Sequence, residues 1–457
     1  MPRIGHLTEI GHVTRISSYV IRGGCTGRAM PLSKSDQEKI AAAVDQSFDE
    51  QVELTKRFVS IPSTRGAEWP AQDFIAGELR SRGYVVDDWQ ISMEDLAGLP
   101  DLGVIDHDFS RARTVVGSLK PEQETGRSII LQGHCDVVPV GPAKMWQTHP
   151  FQPVIKDGWL HGRGAADMKG GTLAALYAVD AIRKAGYRLK GRIHLQSVIE
   201  EESTGVGALS ALQRGYRADC ALLPEPTGQR FGDVCLGVIW FRVKVAGEPT
   251  HVSHAGEGFN AIKAAMEIVR ALEGLERIWN ERAASHPIYG EVRHPLNFNP
   301  GIIHGGDWAS SVPAWCDVDC RMGLLPDWSV EDCQKEILAC VRDAATKMPF
   351  LANNLPEVEW SGYLSHGYVM RDAPAVREVL EEAHKDVTGK PLERRLATSL
   401  NDARFYDRHF GIPAFCYGPI GERIHGFNER INLQSLRETT KTIANFVARW
   451  CGIESGI

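Results

Sequence analysis

The fold is organised around residues 128–136, which read Ser-Ile-Ile-Leu-Gln-Gly-His-Cys-Asp. The apolar run at the start is typical of a buried strand, and it ends in polar residues. Side chains two apart on a strand project from the same side, so His134 and Asp136 are predicted to lie together. They come at the strand's carboxyl end, where open α/β sheets bind their ligands. A histidine beside a carboxylate is a pairing typical of metal sites, since the carboxylate holds one ring nitrogen while the other binds the ion.

The composition of the whole chain is that of an ordinary globular protein. Its 457 residues are 43% hydrophobic and 24% charged, and this length favours two or three domains. The net charge of -7, without a basic block, argues against a nucleic acid as partner. No apolar run reaches the ~20 residues of a membrane span, so a membrane partner is not expected either. Ten scattered cysteines without a Cys-x-x-Cys pair are typical of reduced thiols in a cytoplasmic protein.

Residues 1–32 are predicted to be a loosely ordered N-terminal extension. They carry four arginines and a single acid, Glu9, but lack the long apolar segment of a secretory signal. Ordered structure is expected to begin near Ser33, with Ser35 as the cap of a first helix.

The rest of the chain changes pattern twice. Residues 33–236 and 363–457 have the strand and helix segments of an α/β domain, with a mixed sheet flanked by helices. Between them, residues 237–362 follow the order β-α-β-β-α-β, which is the split βαβ pattern of a ferredoxin-like α+β domain. The sequence therefore predicts that a second domain is inserted into the first.

Acidic side chains follow several predicted strands of the first domain. Three consecutive glutamates, residues 200–202, end one buried strand, where their mutual repulsion is costly unless a cation neutralises it. Glu225 ends another strand between two prolines, and the glycine-rich loop 162–171 is predicted to aim Asp167 into a cleft. With two histidines, these residues supply enough donors for two zinc ions that share one carboxylate. The five candidate ligands are His134, Asp167, Glu202, Glu225 and His425.

The adjacent glutamates Glu201 and Glu202 are expected to have different roles. Neighbouring side chains at a strand end point apart, so one can bind metal while the other takes a proton from bound water. Two ions ~3.5–4 Å apart would activate that water and stabilise a tetrahedral intermediate.

Five motifs occur in one order along the chain, and together they resemble a known family. The motifs are His134-Cys-Asp136-Val-Val-Pro, Gly162-Arg-Gly-Ala-Ala-Asp167-Met-Lys-Gly, Glu201-Glu202 with Gly207-Ala208 after it, Glu225-Pro226, and His425-Gly-Phe-Asn-Glu429. From about residue 50 to the C-terminus, the chain resembles the M20 metallopeptidases and deacylases. That group includes acetylornithine deacetylase, succinyl-diaminopimelate desuccinylase, aminoacylase-1 and bacterial glutamate carboxypeptidase.

The resemblance implies a zinc-peptidase-like fold with two Zn2+ ions, for which Co2+ or Mn2+ are alternatives. In that arrangement His134, Asp167 and Glu225 hold one ion. Asp167, Glu202 and His425 hold the other, so that Asp167 is the shared ligand.

The resemblance also implies roles for residues that do not bind metal. Asp136 orients the first histidine ligand, and Glu201 is the general base and acid. The inserted domain is a lid and a dimerisation unit, so a homodimer is expected. Its His251 reaches the neighbouring subunit's site and stabilises the oxyanion.

On the substrate side, the resemblance places Asn299 and Arg321 near the substrate carboxylate, which a guanidinium fits well. Two stretches depart from the family pattern. Ser399-Leu-Asn-Asp402 stands where Gly-Gly-Thr-Asp is usual, and Ser310 or Ser311 replaces a lid asparagine. These departures leave the acyl group and the leaving amine open.

The function that the resemblance implies is removal of an N-acyl group from an amino acid or related carboxylate. The nearest alternative is a metallo-exopeptidase or dipeptidase of the same family, since both cleave an amide next to a carboxylate. A more remote alternative is a non-catalytic binding protein on this fold.

Overall fold

The computed structural model describes residues 31–456, so nearly all of the predicted N-terminal extension lies outside the described residues. The first helix begins at Lys34, and its cap is Ser33 rather than the predicted Ser35. The Ser33 hydroxyl accepts a hydrogen bond from the main-chain nitrogen of Asp36 at 3.1 Å. Ser33 has the extended backbone that an N-cap requires, whereas Ser35 already lies within the first turn.

The described residues form the following helices and strands. The helices are α1 (Lys34–Val59), α2 (Trp69–Ser81), α3 (Met93–Leu96), α4 (Gly170–Lys184), α5 (Val206–Gln213), α6 (Ala261–Ala283), α7 (Val330–Thr346), α8 (Pro349–Asn353), α9 (Pro374–Thr388) and α10 (Leu433–Cys451). The strands are β1 (Val85–Gln90), β2 (Arg113–Leu119), β3 (Ile129–His134), β4 (Val154–Lys156), β5 (Trp159–His161), β6 (Tyr187–Leu189), β7 (Ile193–Val198), β8 (Cys220–Leu223), β9 (Phe231–Cys235), β10 (Gly237–Ala246), β11 (Phe298–Gly305), β12 (Trp315–Leu324), β13 (Glu357–Ser365), β14 (Tyr368–Val369), β15 (Arg394–Ala397), β16 (Ala414–Cys416), β17 (Gly421–Glu422), β18 (Arg430–Asn432) and β19 (Ile453–Ser455).

The larger sheet has nine strands and is mixed, as predicted. Its order is β1-β2-β7-β3-β8-β16-β9-β14, and β15 pairs with β9. The strand β3 is fully buried and runs parallel to both of its neighbours, β7 and β8. Gly133 permits close packing of α4 on β3, since a Cβ atom there would lie 2.1 Å from the Thr172 hydroxyl oxygen.

Helices cover this sheet and pack on one another. The helices α4 and α10 are in contact, α1 packs on both, and α9 packs on α10. The helices α2 and α5 pack on β2. None of the helices within residues 31–456 combines the length and the apolar character needed to cross a membrane.

A second sheet of four strands is formed between the two segments of the first. Its order is β11-β12-β10-β13, and all three pairs are antiparallel. With α6 and α7, this is the arrangement of a split βαβ unit. A separate hydrophobic core lies between these helices and one face of the sheet, around Phe241, Ile268, Trp279, Val318 and Ile337. The functions of this unit as a lid and in dimerisation remain predictions.

Candidate metal centre

The parallel strands β7, β3 and β8 bring three chain segments to one edge of the sheet. His134 is the last residue of β3, Glu201 and Glu202 follow β7, and Glu225 follows β8. The carboxyl ends of adjacent parallel strands meet at the same edge, which is where open α/β sheets bind ligands. The sheet therefore explains why residues far apart in the sequence converge.

Asp167 lies between the two candidate histidine ligands. Its Oδ1 is 3.2 Å from Nε2 of His134, and its Oδ2 is 3.5 Å from Nε2 of His425. Glu202 lies 3.0 Å from the same nitrogen of His425, and Glu225 lies 4.0 Å from Nε2 of His134. A carboxylate whose two oxygens face two different imidazoles has the placement that a ligand shared by two ions requires.

Two groups of three donor atoms lie close enough to hold an ion each. One consists of His134, Glu201 and Glu225, and the other of His134, Asp167 and Glu202, with all atoms of a group within 4.8 Å of one another. The first group contains Glu201, which was predicted to handle protons rather than to bind metal. Its Oε2 is 3.9 Å from Nε2 of His134. All five predicted ligands and the predicted general base thus lie in one cluster, and their individual roles remain predictions.

The charges of this cluster fit divalent cations. Burial raises the pKa of both Glu202 and Glu225, in each case with help from Asp167. Burial acts in the same direction on Asp167, but the two imidazoles outweigh it and hold the pKa of Asp167 well below its ordinary value. Burial lowers the pKa of His425, yet Glu202 and Asp167 raise it to about 11. Oε1 of Glu225 is buried and has no hydrogen-bond partner among the described residues. Crowded buried carboxylates with an unpaired oxygen are costly unless cations neutralise them.

The imidazole of His134 is oriented by Asp136, although not by its carboxylate alone. Nδ1 of His134 is 3.0 Å from the main-chain oxygen of Asp136 and 3.5 Å from its Oδ1. A carbonyl oxygen can only accept, so Nδ1 carries the proton and Nε2 presents its lone pair to the cluster. Oδ2 of Asp136 accepts from the main-chain nitrogen of Glu202 at 3.0 Å and so ties β3 to the loop after β7.

Glu429 fixes the loop that carries Asp167. Its Oε1 accepts from the main-chain nitrogens of Ala166 and Asp167 at 2.9 and 3.1 Å. Its Oε2 accepts from the nitrogen of Gly164 at 3.0 Å and from Nη1 of Arg163 at 2.7 Å. Both partners of this ion pair are buried. Glu429 belongs to the last of the five motifs, but its role depends on a contact between two loops distant in sequence, which no local pattern indicates.

Glu200 holds the backbone just before Glu201. Its φ is 63°, in the left-handed region, and its buried carboxylate accepts from Nε of Arg65 at 3.1 Å. The hydroxyls of Ser203 and Thr204 donate to the same carboxylate at 2.7 and 3.0 Å. The sequence showed only three adjacent acids, and nothing in it singled out the first as a structural anchor.

Asp402 and Arg404 are further buried groups that sequence reasoning missed as functional candidates. Nη1 of Arg404 lies 3.4 Å from Oδ1 of Asp402, and Gln132 donates to Oδ2 of Asp402 at 3.2 Å. Burial raises the pKa of Asp402 to about 7. Asp402 is the last residue of Ser399-Leu-Asn-Asp402, which departs from the family's Gly-Gly-Thr-Asp but retains the aspartate. The hydrogen bond from Gln132 places this aspartate beside β3.

The three candidates of the inserted unit lie on or next to its four-stranded sheet. Asn299 on β11 pairs with Arg321 on β12, so their side chains share one face of the smaller sheet. Nη1 of Arg321 donates to the main-chain oxygen of Asn297 at 3.2 Å. His251 is exposed, and its Nδ1 lies 2.8 Å from the hydroxyl of Ser253. Within the described part of the chain, none of the three forms a hydrogen bond or ion pair with a predicted metal ligand.

Comparison with known sequences identifies the family. The sequence profile of peptidase family M20/M25/M40 matches residues 130–449. The chain is 30% identical over 438 residues to N-formyl-4-amino-5-aminomethyl-2-methylpyrimidine deformylase of Bacillus subtilis (strain 168), covering 89% of this chain and 96% of that relative. It is 28% identical over 332 residues to succinyl-diaminopimelate desuccinylase of Xanthomonas campestris pv. campestris (strain B100), covering 70% and 83%. The chain therefore belongs to peptidase family M20/M25/M40. It is a hydrolase of amide bonds, as the sequence predicted.

Solved structures confirm the predicted fold class. The dipeptidase Dug1p of Saccharomyces cerevisiae has a TM-score of 0.75 at 15% identity, covering 91% of this chain and 98% of that one. Human carnosine dipeptidase 1 has a TM-score of 0.72 at 18% identity, covering 91% and 99%. At such identities the likeness concerns the fold alone.

Proposed function

We propose that this chain holds two divalent metal ions and removes an N-acyl group from an amino acid or related carboxylate. The observation that carries the proposal is the position of Asp167, whose two oxygens face the imidazoles of His134 and His425. Glu202 and Glu225 complete the donor set. Two nitrogens and three carboxylates suit zinc, with cobalt or manganese as alternatives.

The ions, when bound, would supply Lewis-acid activation of water and of the amide carbonyl. The protein's own contribution begins with Glu201, which is buried beside His134 and belongs to neither of the two predicted ligand sets. In the proposed role it accepts a proton from the attacking water and returns it to the leaving amine. Glu200 and Glu429 hold, respectively, the backbone before Glu201 and the loop of Asp167.

The substrate side of the proposal rests on Arg321 and Asn299. Arg321 forms no ion pair with a carboxylate of the described chain, and burial lowers the pKa of its guanidinium. Such a cation is suited to a substrate carboxylate. Deacylation is favoured over peptide cleavage because the two relatives reported from the sequence comparison are a deformylase and a desuccinylase. We infer that the substrate is a small N-acyl compound.

We further propose a homodimer that forms through β11. This strand lies at the edge of the smaller sheet, where it exposes 52% of Ile302 and 55% of Ile303. An unpaired edge strand with exposed apolar side chains is a template for pairing with another chain. His251, which bridges to Ser311 at one end of this unit, would then act in the partner's site.

An activity screen over N-formyl, N-acetyl and N-succinyl amino acids and dipeptides, with added Zn2+, Co2+ or Mn2+, tests the function. We expect cleavage of one or more acyl amino acids and its loss after chelation. Preferential cleavage of dipeptides would contradict deacylation. Active protein that contains no zinc, cobalt or manganese would contradict the metal-dependent mechanism.

A further inference from the structure

Two arginines that none of the roles above uses lie beside the metal centre. Arg395 belongs to β15, and Arg230 directly precedes β9, with which β15 pairs in parallel. The strand β9 runs antiparallel to β16, and β16 runs parallel to β8. The amino end of β9 therefore lies at the same edge of the sheet as the carboxyl end of β8, where Glu225 follows.

Both guanidinium groups are held by the turn that follows this glutamate. Nη1 of Arg395 donates to the main-chain oxygen of Pro226 at 2.6 Å, and Nε of Arg230 donates to that of Thr227 at 3.2 Å. The two accepting carbonyls belong to consecutive residues, and the charges of Arg230 and Glu225 both act on Arg395, so the two cations lie near each other and near Glu225. Arg395 is half-buried and Arg230 is exposed, so the pair faces outward from the rim of the centre.

The two arginines lack the acids that usually neutralise such a pair. Among the described residues, neither forms an ion pair with a carboxylate, although hydrogen bonds to main-chain carbonyls position both. Burial lowers the pKa of Arg395, and the neighbouring charge of Arg230 lowers it further. Arg394, the residue before, contrasts with them, since its Nε lies 2.7 Å from Oδ1 of Asp233.

We propose that Arg395 and Arg230 form a second anion subsite, which binds a carboxylate carried by the substrate in addition to the one assigned to Arg321. Two adjacent guanidinium groups with free N–H donors fit a carboxylate, and the anion removes their mutual repulsion. The inference rests on the proposed hydrolase function and narrows its substrate class to compounds with two acidic groups.

Matched substrates test the subsite with the full-length, metal-loaded protein. One pair consists of the N-succinyl and N-succinamoyl derivatives of one amino acid, and the other of N-acetylglutamate and N-acetylglutamine. In each pair only one charge differs. We expect Arg395→Gln to raise the KM of one dianionic member about 10- to 100-fold, with kcat little changed, because a charge-assisted hydrogen bond is lost. The KM of the monoanionic member should change little, and the pair that responds identifies which end of the substrate is bound.

Arg394→Gln is the control, because Arg394 already has its own acid, and it should leave both pairs unchanged. Arg230→Gln, at an exposed position, repeats the test if Arg395→Gln fails to fold. Equal effects on the dianionic and monoanionic members, or no effect on either, would overturn the subsite. If the wild-type protein cleaves none of these compounds, the proposed function fails separately. Calorimetry with succinate then decides on the subsite, since binding that is unchanged in both variants would overturn it.

Discussion

The candidate metal centre and the outer face of the smaller sheet differ in how their candidate functional residues are placed. At the centre, side chains from five distant segments lie within hydrogen-bonding or ion-pairing distance of one another. On the smaller sheet, Asn299 and Arg321 are paired across two strands, and within the described residues neither forms a hydrogen bond or ion pair with these groups. One chain therefore brings together all five predicted ligands, whereas the proposed roles of Asn299 and Arg321 require a bound substrate.

The candidate metal centre and the smaller sheet also differ in the sign of their unpaired charges. The centre holds a surplus of buried acids, and Oε1 of Glu225 lacks a partner. The smaller sheet offers Arg321 as a cation without a carboxylate partner among the described residues. A surplus of acids favours metal ions, and a free guanidinium favours an anion, so the two regions are suited to different parts of one reaction complex.

Glu201→Gln is expected to have the largest effect on activity. The amide cannot accept the proton from water, so kcat should fall on the order of 10²–10⁴-fold. Metal content measured by elemental analysis should stay at the wild-type level, because Glu201 is not a predicted ligand. Glu53→Gln, at an exposed position of α1, is the control and should change neither quantity. Unchanged turnover in Glu201→Gln would remove the proposed base from the mechanism.

His251→Ala tests whether the second region acts across an interface. Loss of an oxyanion donor should lower kcat on the order of 10²–10³-fold. Co-expressed, differently tagged subunits carrying Glu201→Gln and His251→Ala allow purification of mixed dimers. Each mixed dimer should regain about half of the wild-type activity, since it has one complete site. Mixed dimers as inactive as the single variants, or a fully active monomer, would show that His251 does not act in the partner's site.

Glu429→Gln tests the support of the centre through stability. The change leaves Arg163 buried without its ion pair, so the free energy of unfolding should fall by about 3–5 kcal/mol. Glu267→Gln breaks an exposed pair with Arg270 on α6 and should cost at most about 1 kcal/mol. Urea denaturation of both metal-free proteins gives the comparison. Equal losses would mean that the buried pair is no more important than a surface one.

Arg321→Gln should have the smallest effect, confined to substrate binding. We expect KM to rise on the order of 10-fold with kcat retained, because a charge-assisted bond to the carboxylate is lost. The amide analogue of the same substrate should be cleaved equally by both proteins. An equal loss on the carboxylate and its amide would assign Arg321 a structural role instead.

The sequence predicted those features that depend on strand ends and motif order. The buried run before His134 indicated the central strand, and the acids after other strands indicated one shared edge. The order of elements from 237 to 362 predicted the split βαβ unit. The contacts that sequence reasoning missed join segments with no local pattern in common. Glu429 binds the loop of Asp167, and Arg395 reaches Pro226 only because β15 pairs with β9.

The cap of the first helix shows, on a smaller scale, what the sequence alone could not predict. Ser33 and Ser35 are both acceptable caps by residue type, and only the backbone conformation decides between them. The sequence also could not predict which acceptor orients the ring of His134. The main-chain oxygen of Asp136 is closer to this ring than the carboxylate that the sequence suggested.

Anomalous diffraction from crystals of the zinc-loaded protein tests whether the five side chains hold two ions. With data collected on both sides of the zinc absorption edge, we expect two peaks on opposite sides of Asp167. One peak should lie near His134 and Glu225, and the other near Glu202 and His425. A single peak elsewhere, or none between these side chains in active protein, would contradict it.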